Sequence, residues 1–413
     1  MARRDILFVH TNFPAQFRHL AAHLARDPNF RVFAFSSHSG QTLAGVRLLK
    51  YQLNLELSQD EVHPFARRFD AESRRAEQIL YLANLLRSER ITPDVIFVHP
   101  GWGEALPLRL AFPRAKIVAY CEFFYSASGL DVGFDPEFPE MGLDGLTKVH
   151  LRNAATLLAL VDADFGVAPT QWQRDTFPAE FRPKIRVLHD GIDTNTARPD
   201  ATATITTPSG VRLSAGDEVI TFVARNLEPY RGYHVFMRAL PAILRARPYA
   251  HVLIVGGNGV SYGAAAPPGQ SWASIFLDEV RGQLDQARVH FLGPVEYRDY
   301  LKVLQVSAAH VYLTYPFVLS WSLLEAMATG CLVIGSDTPP VQEAVQHERT
   351  GLLVPFFDQA YLAETVTSAL IRPGRTAQMR ERARRETVAR YDLRSVALPA
   401  YLNVINALQS HGA

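Results

Sequence analysis

Short apolar runs rich in β-branched residues recur along the chain, at 6–9, 32–35, 95–99, 117–120, 165–167 and 185–188, each followed by a longer segment with helical spacing of its apolar positions. That alternation predicts a parallel sheet with crossover helices. A second series, at 220–224, 252–255, 289–292, 311–313, 332–334 and 352–354, begins after a polar stretch containing Pro, Gly and Thr. The pattern predicts an α/β chain of two doubly wound domains: an N-terminal domain over 1–197, a linker over 198–217, a C-terminal domain over 218–390, and a helix over 391–413 that packs back across the domains. Ligands of open α/β sheets bind beyond the carboxyl ends of the strands, so two such domains facing one another imply a central cleft.

The 413 residues are 48% hydrophobic and 20% charged, enough for a sizeable core and against a disordered or fibrous chain. Lys and Arg number 42 against 41 Asp and Glu, and a net charge of +1 provides no global field for a nucleic-acid backbone. Cys121 and Cys331 each lie inside an apolar run, which argues against a disulfide framework and suits the cytoplasm. The basic start precedes an apolar run too short for a secretory signal. Between 303 and 336 the only Asp, Glu, Lys or Arg is Glu325, but Pro316, Gly330 and His310 break the stretch, which reads as buried α/β core rather than a membrane span. The segment 67–90 holds six arginines among leucines and reads as a helix with a solvated face, with peripheral contact at the inner face of a membrane as the sharper alternative.

Three places carry candidate chemistry. Arg225 and Arg231 flank a strand-to-helix loop, where two forked guanidiniums make a sensible diphosphate clamp, or else two surface arginines paired with carboxylates. Glu325 is the sole charge in an apolar helix start and must be paired, hydrogen-bonded or protonated; ribose hydroxyls or an arginine would satisfy it. Ser320, Trp321 and Ser322 precede that helix, so their backbone N–H groups are placed to meet a phosphate. Gly256 and Gly257 follow a strand and permit close backbone approach, although the spacing is not that of a dinucleotide site. The sequence shows no Walker loop, no Cys/His metal constellation and no nucleophile elbow.

Taken in order and spacing, Arg225, Arg231 and Gly232, then Leu323 to Gly330, then Thr350 to Pro355, resemble the nucleotide-sugar half of glycosyltransferase family 4. The turn Asp190-Gly191-Ile192-Asp193 resembles the one closing that family's N-terminal domain, so the resemblance spans nearly the whole chain. It implies a GT-B fold of two Rossmann-like domains, the donor in the C-terminal one and the acceptor in the N-terminal one. It further implies transfer from a nucleotide sugar with retention, no obligatory metal and no separate cofactor. On this resemblance Arg225 and Arg231 hold the diphosphate, Glu325 takes the ribose hydroxyls and the backbone near Val295 meets the base. Where the family usually has a glutamate eight residues before Glu325, this chain has Phe317.

In the N-terminal half, many members carry a histidine after the fourth strand; here Cys121 and Glu122 occupy that place. Glu122 is a candidate to orient or deprotonate the acceptor hydroxyl, with a buried hydrogen-bond anchor as the alternative. His99, at another strand end, shares that ambiguity. The first loop supplies Asn12 and Gln16 as polar acceptor contacts and Phe13 as a packing or sugar-stacking ring. The expected activity is hexosyl transfer to a glycan or lipid-linked acceptor in polysaccharide or glycoconjugate synthesis. A nucleotide-sugar epimerase and a non-catalytic nucleotide-sugar-binding subunit remain as alternatives.

Overall fold

The computed structural model describes residues 3–53 and 62–410; Met1 and Ala2 of the basic start, and the last three residues of the expected closing helix, lie outside this range. The chain divides into two compact units, Met1–Gly191 with Leu393–Ala413, and Ile192–Asp392.

The first unit holds a seven-stranded sheet in the order β3-β2-β1-β4-β5-β6-β7, all pairs parallel. Its strands are β1 (Arg4–Val9), β2 (Phe30–Ser37), β3 (Val46–Tyr51), β4 (Val95–Val98), β5 (Lys116–Tyr120), β6 (Phe165–Ala168) and β7 (Ile185–Val187). Strand β4 is apolar at every position, and β1 from Ile6 and β5 from Ile117 onward, because both faces are covered there. Leu7, Val9, Ile96 and Val98 enter the core on one face, while Ile6, Phe8, Val95 and Phe97 enter the core on the other. The C-terminal helix Leu398–Ser410 closes this second face through Tyr401 and Ile405, and so belongs to the first unit. Strand β3 has no counterpart among the apolar runs: it lies at the sheet edge, where exposed Arg47 and Lys50 interrupt the pattern.

The second unit holds a six-stranded parallel sheet in the order β12-β11-β10-β13-β14-β15. These strands are β10 (Val219–Asn226), β11 (His251–Gly257), β12 (Val289–Gly293), β13 (Ala309–Tyr312), β14 (Val333–Ser336) and β15 (Leu352–Val354). Residues 198–217, expected as a linker, instead fold within this unit and carry an antiparallel hairpin, β8 (Thr204–Thr206) with β9 (Arg212–Ser214). Ala203 and Leu213 pack there against Val219 and Leu253, so the stretch is held by a small core of its own. The crossing between units falls at Gly191–Ile192. Among the described residues no helix is long and apolar enough to cross a membrane; 303–336 becomes a helix end, β13, a loop, the helix Trp321–Ala328 and β14.

In both sheets the strand order reverses once near the middle, between β1 and β4 and between β10 and β13. Loops leaving these neighbours diverge to opposite faces and open a crevice at the carboxyl ends, where α/β sheets take their ligands.

Candidate functional site

In the second unit the crevice is shaped by one glycine. Gly232 has φ +66, and a Cβ there would come within 2.4 Å of the Leu313 Cβ, so only glycine allows the loop after β10 to lie against the end of β13. This approach places Arg231 between the residues flanking Leu313. Its Nη1 donates to Thr314 Oγ1 at 2.7 Å, to the Val318 carbonyl at 3.1 Å and to the Tyr312 hydroxyl at 3.4 Å. The guanidinium also sits 5.2 Å from the Tyr262 ring centroid, within cation–π range. Burial opposes its charge, but the Tyr312 and Tyr262 hydroxyls and the Glu228 carboxylate more than offset this, and the pKa is raised. Arg231 is thus a buried cation held by neutral oxygens.

Glu228, only 1% exposed, is committed elsewhere: its carboxylate accepts from the backbone N–H groups of Ser261, Tyr262 and Gly263 at 3.2 to 3.4 Å. Those bonds, with Asn226 Nδ2 donating to Ser261 Oγ at 2.7 Å, hold the loop that carries Tyr262 over Arg231. Arg225 is exposed and makes no hydrogen bond or ion pair among the described residues. Arg225, Glu228, Arg231, Tyr262, Ser320 and Ser322 line one narrow cavity of about 40 Å³.

The remaining predicted donor residues distribute differently. The backbone N–H groups of Ser320 and Ser322 do not point free into the cavity: the first donates to the Tyr312 hydroxyl at 2.9 Å, the second to Ser320 Oγ at 3.3 Å. Ser320 is the N-cap of its helix, and capping consumes the donor that a phosphate would need. Trp321 packs partly buried against the apolar core of the unit. Gly256 and Gly257 end β11, where a Cβ on Gly256 would meet the Ala224 carbonyl at 2.8 Å and one on Gly257 the Asn226 side chain at 2.7 Å; these glycines serve close strand packing beside the cavity. Glu325 does not line the cavity. Its two oxygens accept from the Tyr297 and Tyr300 hydroxyls at 2.9 and 2.8 Å, and burial pushes its pKa up against these bonds. Both tyrosines belong to the helix Tyr297–Gln305, which starts two residues after the partly buried Val295, so Val295 and Glu325 share one patch of the unit. Phe317 is 3% exposed and packs edge-on against Tyr230, with ring centroids 5.7 Å apart, and tilted against Tyr262 at 4.9 Å. Aromatic surface therefore stands where the family usually has a carboxylate.

In the first unit the switch point brings together His10 after β1, His99 after β4 and Glu122 after β5. His99 Nε2 lies 3.2 Å from Glu122 Oε2, and Gln16 Nε2 donates to Glu122 Oε1 at 3.0 Å. The His99 ring stacks on Trp102 at 4.1 Å, and the His10 ring meets both edge-on at 5.4 and 5.0 Å. Burial, then the neighbouring His99, lower the His10 pKa to about 3, so His10 is neutral; its Nδ1 accepts from the Asn12 N–H at 2.9 Å. Burial works against the Glu122 charge, but the His99 and Gln16 hydrogen bonds outweigh it and hold the carboxyl below its ordinary range. A carboxylate so stabilised is a weak base and a good hydrogen-bond acceptor. With its side chain one-third exposed, it is available to a ligand hydroxyl.

Sequence reasoning placed Gln16, His99 and Glu122, and the structure joins them. Asn12 is exposed, with Oδ1 accepting from Ser39 Oγ at 2.7 Å. Phe13 is not a ligand contact: it is fully buried and packs 6.3 Å from Phe8 in the core. An aromatic ring after a strand looks the same in sequence whether it turns inward or outward. The sequence reading assigned no role to His10, Trp102, Glu228, Tyr262, Tyr312 or Thr314; of these only His10, set directly after the first strand, carried a positional signal.

Two family models match the chain: "Glycosyl transferase family 4 group" over residues 28–197 and "Glycosyl transferases group 1" over 208–386. It is 25% identical over 339 residues to the GDP-mannose-dependent alpha-(1-6)-phosphatidylinositol monomannoside mannosyltransferase of Mycobacterium tuberculosis, covering 77% of this chain and 78% of that protein. It is 28% identical over 191 residues to the D-inositol 3-phosphate glycosyltransferase of Mycobacteroides abscessus, covering 46% and 40%. Among solved structures, the sucrose-phosphate synthase of Thermosynechococcus elongatus superposes with a TM-score of 0.73 at 17% identity, over 99% of this chain and all of that one. HepE of Anabaena, solved with UDP and glucose, gives 0.66 at 17% identity over 97% and 99%.

Proposed function

The chain belongs to glycosyltransferase family 4 and has the GT-B fold, and on that premise we propose that it is a retaining, metal-independent enzyme. Its second unit holds a nucleoside-diphosphate sugar, and its first unit presents a hydroxyl of a glycolipid or glycan. The observation that carries this reading is the arginine pair: Arg225, whose side chain has no partner among the described residues, and Arg231, buried among neutral oxygens while the carboxylate that lines the same cavity, Glu228, is occupied by three backbone N–H groups. Two cations against one carboxylate already engaged by backbone donors leave the cavity positive and call for an anionic ligand.

In the proposed reaction the bond from the anomeric carbon to the diphosphate oxygen breaks and the departing nucleotide takes the electron pair. The acceptor oxygen attacks from the same face, and its proton passes to the leaving phosphate oxygen. Negative charge grows on the diphosphate along this path, where fixed guanidiniums stabilise the transition state more than the ground state. This supplies the charge stabilisation that a divalent metal provides elsewhere. Glu122, ionised and held by His99 and Gln16, accepts a hydrogen bond from the acceptor and fixes its orientation. Glu325 receives the ribose hydroxyls in place of Tyr297 and Tyr300.

The relatives named for GDP-mannose and phosphatidylinositol make guanosine, mannose and an inositol lipid the first combination to test. Contact with a lipid surface has support from the helix Arg67–Ser88, where Leu80, Tyr81 and Leu85 are 41, 58 and 45% exposed beside Arg74 and Arg87.

Calorimetry with GDP, UDP, ADP and TDP and their sugar conjugates, on wild type and Arg225→Ala, tests the donor site. One nucleotide should bind tightly and lose at least tenfold in the variant; a folded protein that binds none sinks the assignment. Turnover in excess EDTA and the anomeric configuration of the product by NMR then test metal independence and retention.

A further inference from the structure

A second cluster of arginines, in the first unit, takes no part in the donor chemistry. Arg68 and Arg75 are seven residues apart on the helix Arg67–Ser88 and so share a face. Arg68 Nη2 donates to the Gly101 carbonyl at 2.8 Å, and Arg75 Nη1 reaches the next carbonyl, Trp102, at 3.5 Å. The cluster therefore backs onto the turn that stacks Trp102 on His99. Arg152, at the C-cap of the helix Leu143–Leu151, lies over the Tyr125 ring with its Cζ 3.9 Å from the centroid. Its neighbour Asn153 clamps the Tyr125 backbone by two hydrogen bonds, 3.0 and 2.8 Å, which ties Arg152 to the loop that carries Glu122.

The cations outnumber their partners. Glu72, 1% exposed, is the carboxylate that Arg68, Arg75 and Arg152 all feel, and Arg68 alone forms an ion pair with it, Nε to Oε1 at 2.8 Å. Among the described residues the Arg152 side chain makes no hydrogen bond or ion pair, and the Arg75 side chain makes only the long contact to Trp102. The Nε atoms of both are buried without an acceptor. Buried guanidinium donors without partners are costly, and among the described residues three crowded cations against Glu72 and Asp131 leave the cluster positive. Burial and then the proximity of Arg152 act to lower the Arg68 pKa, a sign of the same crowding. Glu122 and Asp131 also face Tyr125, but Glu122 is engaged by His99 and Gln16.

We propose that Arg68, Arg75 and Arg152 form an anion subsite that grips a phosphate ester of the acceptor, beside the Glu122 that receives its hydroxyl. The proposal rests on the acceptor-binding role given above to the first unit and names the substrate class it takes. Tetrahedral phosphate suits the cluster better than a carboxylate, because guanidiniums from two helices converge from different directions and offer more forked donors than two coplanar oxygens accept. The same chemistry is found in a soluble polyol phosphate and in a phospholipid headgroup.

The test uses the full chain saturated with its nucleoside diphosphate, so that Arg225 and Arg231 are occupied. myo-Inositol 1-phosphate and myo-inositol are titrated calorimetrically into wild type, Arg75→Gln and Arg152→Gln; phosphatidylinositol and phosphatidylcholine vesicles are compared by co-sedimentation. Wild type should bind the phosphate at least tenfold tighter than the plain polyol, and each variant should lose tenfold or more of that preference with nucleotide affinity unchanged. Arg152→Lys, which keeps charge and bulk, should retain an intermediate affinity and guards against loss of fold. Discrimination among vesicles alone assigns the lipid headgroup; discrimination in solution assigns the free phosphate. Equal binding of polyol and polyol phosphate, or a preference untouched by both Gln variants, overturns the subsite. Loss of nucleotide binding with phosphate preference intact instead overturns the donor reading.

Discussion

The switch-point crevices of the two units have the same topology and opposite chemistry. In the second, charge is left over: the Arg225 side chain has no partner among the described residues and Arg231 leans on neutral oxygens. In the first, Glu122 is bonded to His99 and Gln16 and His10 is kept neutral, while His10 Nε2 and Gln16 Oε1 stay buried without a hydrogen-bond partner among the described residues. An unbalanced cation pair specifies the charge of its ligand before that ligand arrives. A hydrogen-bonded network with open polar atoms specifies geometry, because a hydroxyl can join it without changing its net charge. The difference fits a donor whose leaving group gains negative charge and an acceptor whose reacting group begins neutral.

The largest effect is expected where that contrast is sharpest. Arg231→Ala removes a cation aimed at the departing diphosphate, and loss of one preorganised donor of this kind costs about 10²–10³ in kcat, or roughly 3–4 kcal/mol. Arg231→Lys keeps the charge and one nitrogen to stand in for Nη1, which meets Thr314 and Val318, but loses the remaining guanidinium donors a diphosphate would engage, and should fall between the two. Steady-state kinetics with thermal melts decide the matter: a drop in turnover no larger than the drop in stability would make Arg231 a packing residue, and the contrast between crevices would collapse.

A middle-sized effect belongs to His10. Its folded pKa of about 3 lies below the ordinary histidine value, so the unfolded chain binds the proton first and stability falls as pH drops below about 6.5. By pH 5 this costs about 2 kcal/mol. His10→Asn keeps an acceptor near Nδ1 but cannot titrate. The stability of wild type relative to this variant, from denaturant melts, should shrink by that amount between pH 7.5 and pH 5. A gap that stays constant would mean His10 takes up its proton as readily in the fold as in the unfolded chain, so that the first crevice gains charge at low pH after all.

The sequence made the sheets legible because strands covered on both faces are apolar throughout, as at Ile6 to Val9 and Val252 to Val255. It hid β3 and the β8–β9 hairpin, whose exposed charged or polar positions break such runs. Arg225 and Arg231 stood out as candidates because they share one strand-to-helix loop, and both line the cavity, but the loop alone did not separate a diphosphate clamp from two paired surface arginines. The serine N–H groups were misjudged because capping depends on angles and distances that spacing does not record. Phe13 was left between packing and sugar stacking, and takes the packing role, because inward and outward rings share one local pattern. The burial and environment that make His10 neutral come from three separate strands and leave no local signature.

The smallest effect tests whether Glu122 aligns or abstracts. With its pKa held below the ordinary carboxylate range, Glu122 is ionised above that range and becomes protonated only as pH falls through the depressed value. It is too weak a base to govern turnover near neutrality. Glu122→Gln retains a carbonyl acceptor of the same shape and should lower kcat/KM for the acceptor about tenfold, roughly 1.4 kcal/mol, mostly through KM. That loss should be the same from pH 5.5 to pH 8. A general base would behave otherwise: the variant would lose far more, in kcat, and the wild-type profile would show an acid limb that the variant lacks. A pH series on both proteins at saturating donor separates the outcomes, and a kcat-dominated, pH-dependent loss would make the first crevice a proton acceptor rather than an alignment site.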